Sequence, residues 1–395
     1  MGARVIRRRK VLYIGGYDPG TPAGFHRRFI RQLNIFQRTW SLDSSCSEAS
    51  IFGQSAKWTV TTTAPAWSVQ TDFELLSWDD IIEREACGPT FVRLGRGIAA
   101  YANLIISGTL RRYFIANPRY FAFAVAPLFQ LLALVLLAAV VGFAADKAMP
   151  EPWSSVAGLA AALVTFAALL KWPGRRWRMH QAFDDWILSR DYIYRRRGDI
   201  QARITHFATR IVDALRNSGA DEVLVVGHSL GATFAADALE QALAARQGEI
   251  SFATLGATIP KCTLHPAASW LRQRIAALAE RPTVYWVEIQ TRSDPISFFM
   301  VHPVSLERIG DGDLLRGVNP TIRRAKPRDM LDASTYQKIR LRPLRLHYQC
   351  VSANERQTSY DFFMMICGPA PVALWSKSEA GLSRIDIAPS EKITA

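Results

Sequence analysis

Glu222–Ala245, EVLVVGHSLGATFAADALEQALAA, decides how this chain folds. Val223–Val226 is a pure apolar run of β-branched and aliphatic residues, the pattern of a strand buried on both faces. Gly227-His228-Ser229-Leu230-Gly231 interrupts it with two glycines around a serine. From Gly231 to Ala245 the alanine-rich sequence predicts a helix. A strand, a tight turn and a helix in immediate succession place Ser229 at the turn. There the flanking glycines leave room for a strained backbone, and the helix N-terminus favours developing negative charge.

The neighbouring segments repeat the alternation. Val11–Ile14 reads as a buried strand running into Gly15-Gly16-Tyr17-Asp18-Pro19-Gly20. Lys57–Thr63 and Trp67–Leu76 read as strands on either side of a break at Pro65. Ile200, Ile204, Phe207, Ile211 and Leu215 lie on one face of a predicted helix over 199–216, closed by Asn217-Ser218-Gly219. Ile250–Leu255 and Val284–Gln290 read as strands, with a helix between them over Ala267–Glu280. Strands alternating with helices predict an α/β fold with a mostly parallel sheet flanked by helices.

The composition conceals a second material. The chain has 395 residues with 48 Lys and Arg against 34 Asp and Glu, a net charge of +14. Its mean hydropathy is nevertheless +0.03. With hydrophobic residues at 49%, disordered and low-complexity classes are excluded. The apolar residues are concentrated. Phe121–Ala145 carries no charge, and Gln130 is its one strongly polar side chain. As a helix it would be roughly 37 Å long, enough for a ~30 Å hydrocarbon core. Trp153–Leu170 is also uncharged and would reach roughly 27 Å. Asp146–Pro152 separates the two. These stretches predict a transmembrane helical hairpin, with helices over about 121–145 and 153–171.

Arg111, Arg112 and Arg119 precede the hairpin, and Lys171, Arg175, Arg176 and Arg178 follow it. Basic flanks resist translocation, so both outer segments are expected on the cytoplasmic side. Trp153, Trp172 and Trp177 sit where interfacial aromatics belong. The N-terminus has no apolar h-region of a signal peptide. Five cysteines without CxxC spacing fit neither a zinc site nor a disulfide framework. The expected organisation is 1–115 and 175–375 as one interrupted domain, 116–174 as the hairpin, and 376–395 as a loose tail.

At Gly227–Gly231 the sequence resembles the α/β-hydrolase superfamily, in particular its serine esterases and lipases. The resemblance covers 5–110 and 180–375, with the hairpin as an insertion. It implies Ser229 as nucleophile and the chain order Ser, acid, His. Asp294, just past the Val284–Gln290 strand, is the expected acid; Asp311 and Asp313 are weaker candidates because no strand delivers them. His347 is the expected base, read as lying in a strand-like stretch over Leu344–Cys350, with His302 as the alternative. Leu230 and either Gly16 or Tyr17 are expected to supply the oxyanion N–H groups. His228 is read as supporting, His180 and His206 as surface or helix residues, and His26 as a candidate pocket residue.

No nucleotide-binding loop or metal-ligand spacing is present, so no cofactor and no metal is expected. The basic interval Pro295–Leu346 reads as a cap, as a patch for anionic headgroups, or as a solvated insertion. Nucleic-acid binding is not expected, since no aromatic–basic recognition motif accompanies the charge. The expected function is a membrane-anchored serine hydrolase acting on an ester or thioester, with a lipid or amphiphilic substrate suggested by proximity to the bilayer. The alternative is an inactive membrane scaffold of the same fold that binds a lipid or a partner.

Overall fold

The computed structural model describes residues 5–53, 55–176, 178–309 and 319–375. Asp311, Asp313, Trp177 and the 376–395 tail lie outside them. Among the described residues nine strands form one sheet: β1 (Arg8–Ile14), β2 (Asp43–Cys46), β3 (Ser50–Phe52), β4 (Ser55–Ala64), β5 (Trp67–Leu75), β6 (Glu222–His228), β7 (Ile250–Leu255), β8 (Val284–Thr291) and β9 (Thr321–Ala325). The order is β2-β4-β5-β1-β6-β7-β8-β9, with β3 paired to β4. From β5 to β9 all pairs are parallel, while β2, β3 and β4 add an antiparallel edge. The fold is therefore α/β with a mostly parallel sheet.

Strand periodicity explains the two-sided core. Successive side chains alternate between faces. Leu12, Ile14, Val225, Phe252 and Trp286 pack on one face, under the helices Gly198–Asn217 and Leu230–Ala245. Val11, Tyr13, Val226, Leu255 and Ile289 pack on the other, against the helix Pro22–Trp40. That helix follows from Phe25, Phe29, Leu33 and Phe36 on one face and from Thr21, whose hydroxyl caps it by accepting from Gly24 N. At the end of the sheet remote from Ser229, the fully buried Arg9 donates to Glu222 at 2.7 Å and to the carbonyls of Gly368 and Ala370. Such a pair is tolerated in the core because its hydrogen bonds are met.

The strand order changes direction between β1 and β6. The chain leaves β1 toward β5 on one side and continues from β6 to β9 on the other. In open parallel sheets the crevice at this switch, beyond the carboxyl ends of the strands, is where ligands bind. Ser229 follows β6 there, and Gly15–Tyr17 follows β1.

Two helices, Pro118–Ala148 and Ser154–Lys171, are long and apolar enough to cross a membrane. Only 28% and 17% of their most apolar stretches are buried, the opposite of core helices. They touch through small residues: a Cβ on Gly142 would lie 2.8 Å from Ala162 Cβ and from Gly158 O. Close approach of this kind is how apolar helices associate in lipid. The helix Thr90–Ile106 lies just before them. It buries Leu94, Tyr101 and Leu104 on one face and exposes Phe91, Ile98, Ile105 and Ile106 on the other. Tyr101, Tyr113, Tyr120, Phe183, Trp186 and Phe298 join the base of the hairpin to the sheet domain.

Among the described residues, part of the interval 295–346 belongs to the sheet domain. It contains β9, which extends the sheet beside β8, and two short helices, Pro327–Met330 and Ala333–Ile339. On β8 itself, burial lifts the Glu288 carboxyl from its ordinary 4.5 to about 7. It accepts from Thr254 Oγ1 and Gln290 Nε2. Between those pH values the folded chain holds a proton that the unfolded chain has released. Stability therefore falls by about 3 kcal/mol as pH rises through this window. Glu288→Gln keeps one acceptor and cannot ionise. It is expected to be about 1–3 kcal/mol more stable than wild type at pH 8, and to lose that advantage by pH 4.5. Denaturant titrations at both values check this; an unchanged pH profile would refute it.

Candidate active site

Ser229 sits at the sharp turn between β6 and the helix Leu230–Ala245, with φ 55° and ψ −127°. A non-glycine residue in this region is strained by about 1–3 kcal/mol and must be held by its surroundings. Ser229 N donates to Leu255 O at 3.1 Å, and Ser229 O accepts from Ala232 N and Thr258 N. Both motif glycines are steric requirements. A Cβ on Gly227 would lie 2.5 Å from Ala232 Cα, and one on Gly231 would lie 2.1 Å from Gly15 O. The elbow helix thus packs directly on the loop after β1.

That loop is fixed from the other side as well. Trp78, just past β5, donates its indole N–H to Gly15 O at 2.8 Å. Gly16 then meets the serine: a Cβ there would lie 2.7 Å from Ser229 Cβ and 3.2 Å from Oγ. Leu230 is the first residue of its helix, so its N–H has no acceptor within that helix. Gly16, Tyr17 and Leu230 all line one cavity with Ser229. The Tyr17 hydroxyl is buried without a hydrogen-bond partner, and burial with Asp184, Asp185 and Glu85 nearby keeps it protonated.

Asp294 lies three residues beyond β8, and its Oδ1 accepts from Ile296 N at 2.9 Å. Its Oδ2 accepts from His347 Nδ1 at 2.7 Å, with both side chains buried. His347 Nε2 is buried and hydrogen-bonds to nothing. His347 lines the cavity together with Ser229.

His347 differs from expectation in its local structure. It lies on a helix, Pro343–Gln349, not in a strand. Pro343 at the first helical position is the overlooked signal, since its fixed φ suits that site. The ring packs against Gly256, which follows β7 with φ 53°; a Cβ there would lie 3.2 Å from His347 Cε1. Sequence reasoning gave Gly256 no role, because a lone glycine after a strand reads as an ordinary turn.

The other histidines separate clearly. His302 is not among the residues lining this cavity. Its Nδ1 accepts from Val304 N and Ser305 N, closing its own turn. His26 does not line the cavity either; it bonds Ser47 O and packs on Trp58 at 5.0 Å. His180 and His206 lie on helices, as expected. His228 is buried with its ring 4.7 Å from that of His347. Burial holds it well below the usual histidine range, so it stays neutral and adds no charge against a protonated His347.

Two charged residues of the cavity were invisible to pattern reading. Lys261 is buried, donates to Asp185 at 2.6 Å and lies 4.4 Å from the Trp186 ring centre. They come from distant segments, so no spacing joins them. Among the described residues no three His, Cys, Asp or Glu side chains gather as a metal site would require. No family model, curated protein or solved structure matches this chain.

Proposed function

We propose that this protein is a membrane-anchored serine hydrolase of the α/β-hydrolase type, cleaving a carboxylic ester or thioester through an acyl-enzyme on Ser229. The observation that carries the reading is the convergence of two independent features on one cavity. One is a serine held at positive φ on a strand–helix turn; the other is a buried Asp294–His347 pair.

In this reading Ser229 Oγ attacks the substrate carbonyl carbon while His347 Nε2 takes its proton. Asp294 holds the Nδ1–H, which fixes the tautomer and stabilises the imidazolium. The N–H groups of Leu230 and of Gly16 or Tyr17 stabilise the oxyanion. His347 then protonates the leaving alcohol or thiol, and water releases the acid by the same route. Ser229 and His347 are not hydrogen-bonded without substrate, and such bonds commonly tighten only in the complex.

Membrane anchoring is supported by the two exposed apolar helices, their basic flanks and the exposed apolar face of Thr90–Ile106. By the distribution of basic residues the hydrolase domain faces the cytoplasm. A lipid or other amphiphilic ester is the substrate class that such placement favours. The test is labelling with a fluorophosphonate probe in detergent micelles. Wild type is expected to be labelled and Ser229→Ala is not. No labelling of folded wild type would favour an inactive scaffold instead.

A further inference from the structure

The cavity at Ser229 has a volume of about 520 Å³ and a lining of two contrasting kinds. One kind comes from a membrane-type helix: Tyr120, Phe123, Ala126, Pro127 and Gln130 of Pro118–Ala148 form part of the wall. Gln130, the polar exception in the apolar stretch, therefore lies at the cavity. A groove on the outer face of the same helix, lined by Phe121, Val125 and Phe129, shares Ala126 and Gln130 with it. The two hollows adjoin at Ala126 and Gln130.

The lining is also strongly cationic. Arg176 and Arg178, after the second apolar helix, and Arg342 and Arg345, on or beside the His347 helix, all line the cavity. With Lys261 that makes five cations against two carboxylates, Asp18 and Asp185. Asp185 is taken by Lys261, and Asp18 lies 3.7 Å from Arg178. No described carboxylate pairs with Arg176, Arg342 or Arg345. A site with three surplus guanidiniums beside an apolar wall selects an amphiphile with an anionic head. Guanidinium forks pair bidentately with phosphate oxygens, and three of them suit the charge and three acceptor oxygens of a phosphate better than a single carboxylate.

Resting on the hydrolase reading, we infer that the substrate class is an acyl ester of a phosphate-bearing lipid. The acyl chain lies along Phe123–Gln130, the carbonyl sits at Ser229, and the phosphate sits among Arg176, Arg342 and Arg345. Hydrolysis then gives a fatty acid and a deacylated phosphoglyceride, with water supplying the oxygen and protons.

The test separates binding from catalysis by using full-length Ser229→Ala in uncharged detergent micelles. A 1-acyl-glycerol 3-phosphate is expected to bind at least about tenfold more tightly than the monoacylglycerol with the same chain. Adding Arg342→Gln and Arg345→Gln should erase that preference, while Arg342→Lys and Arg345→Lys should keep part of it. Glycerol 3-phosphate should compete only weakly, because it lacks the chain. Equal binding of the charged and neutral lipids, or an unchanged preference in the glutamine variant, overturns the inference. Competition by glycerol 3-phosphate as strong as by the lipid overturns the lipid source. Failure of the probe to label wild type, with phosphate preference intact in Ser229→Ala, would sink the hydrolase reading and leave the anionic-lipid site standing.

Discussion

Ser229→Ala and His347→Ala are each expected to lower kcat for hydrolysis of a short chromogenic ester by about 10⁴- to 10⁶-fold, and the double variant by no more than the worse single. The reason lies in how the groups depend on each other. An un-ionised serine hydroxyl is a weak nucleophile, so without the base the hydroxyl gains little. Without the hydroxyl, His347 has no proton to move. On the hydrolase reading, the Asp294–His347 contact at 2.7 Å orients the base for that transfer. The oxyanion N–H groups survive both substitutions and leave a residual rate. Independent contributions would instead multiply, and a double variant slower than either single by the product of both losses would refute the arrangement. Stability is not expected to change greatly in Ser229→Ala, because Ser229 is only partly buried and alanine removes one atom.

The sequence carried the sheet centre well, and for a physical reason. Strands β6, β7 and β8 are buried on both faces, so they are mainly apolar runs bounded by turns, with Glu288 and Gln290 as polar exceptions on β8. The antiparallel edge was legible in part: β4 and β5 have β-branched enrichment, whereas β2, Asp43–Cys46, is polar and exposed and gives no signal. Strand β9 was missed because Thr321–Ala325 includes two arginines, and its apolar residues, Ile322 and Ala325, fall on opposite faces and give no alternating pattern. The helix Thr90–Ile106 was missed because Gly95 and Gly97 interrupt its first half, and glycine is a poor helix former.

At the site, the elbow was legible because strand, glycines and helix are adjacent in sequence. The Asp294–His347 pairing spans 53 residues, and only chain order and the strand before Asp294 pointed to it. Lys261, Gly256 and the wall contributed by Pro118–Ala148 were not legible at all. Their roles arise from tertiary placement, and nothing local distinguishes them. The last has the largest consequence. Read as sequence, the hairpin is only an anchor; folded, its first helix forms part of the cavity that holds Ser229.

Gly231→Ala is expected to destabilise the fold by at least about 3 kcal/mol and to abolish measurable hydrolysis. The added Cβ would lie 2.1 Å from Gly15 O and 2.5 Å from Ile14 O. Neither neighbour is a flexible side-chain end. Gly15 O is held by the Trp78 indole, and Ile14 pairs with Gly227 in the β1–β6 register. Relief therefore requires the elbow helix to lift from the sheet or the loop after β1 to move. Either motion separates Gly16 from Ser229, and a displacement of about 1 Å at reacting groups costs about 10²-fold even where the fold survives. Gly20→Ala is the matched control, since nothing lies within 4 Å of a Cβ there; it should melt and hydrolyse like wild type. Thermal unfolding by circular dichroism, paired with ester hydrolysis in the same detergent, reads both effects. A Gly231→Ala protein with wild-type melting temperature and rate would mean that the elbow helix and the loop after β1 are not in the contact on which this site is built.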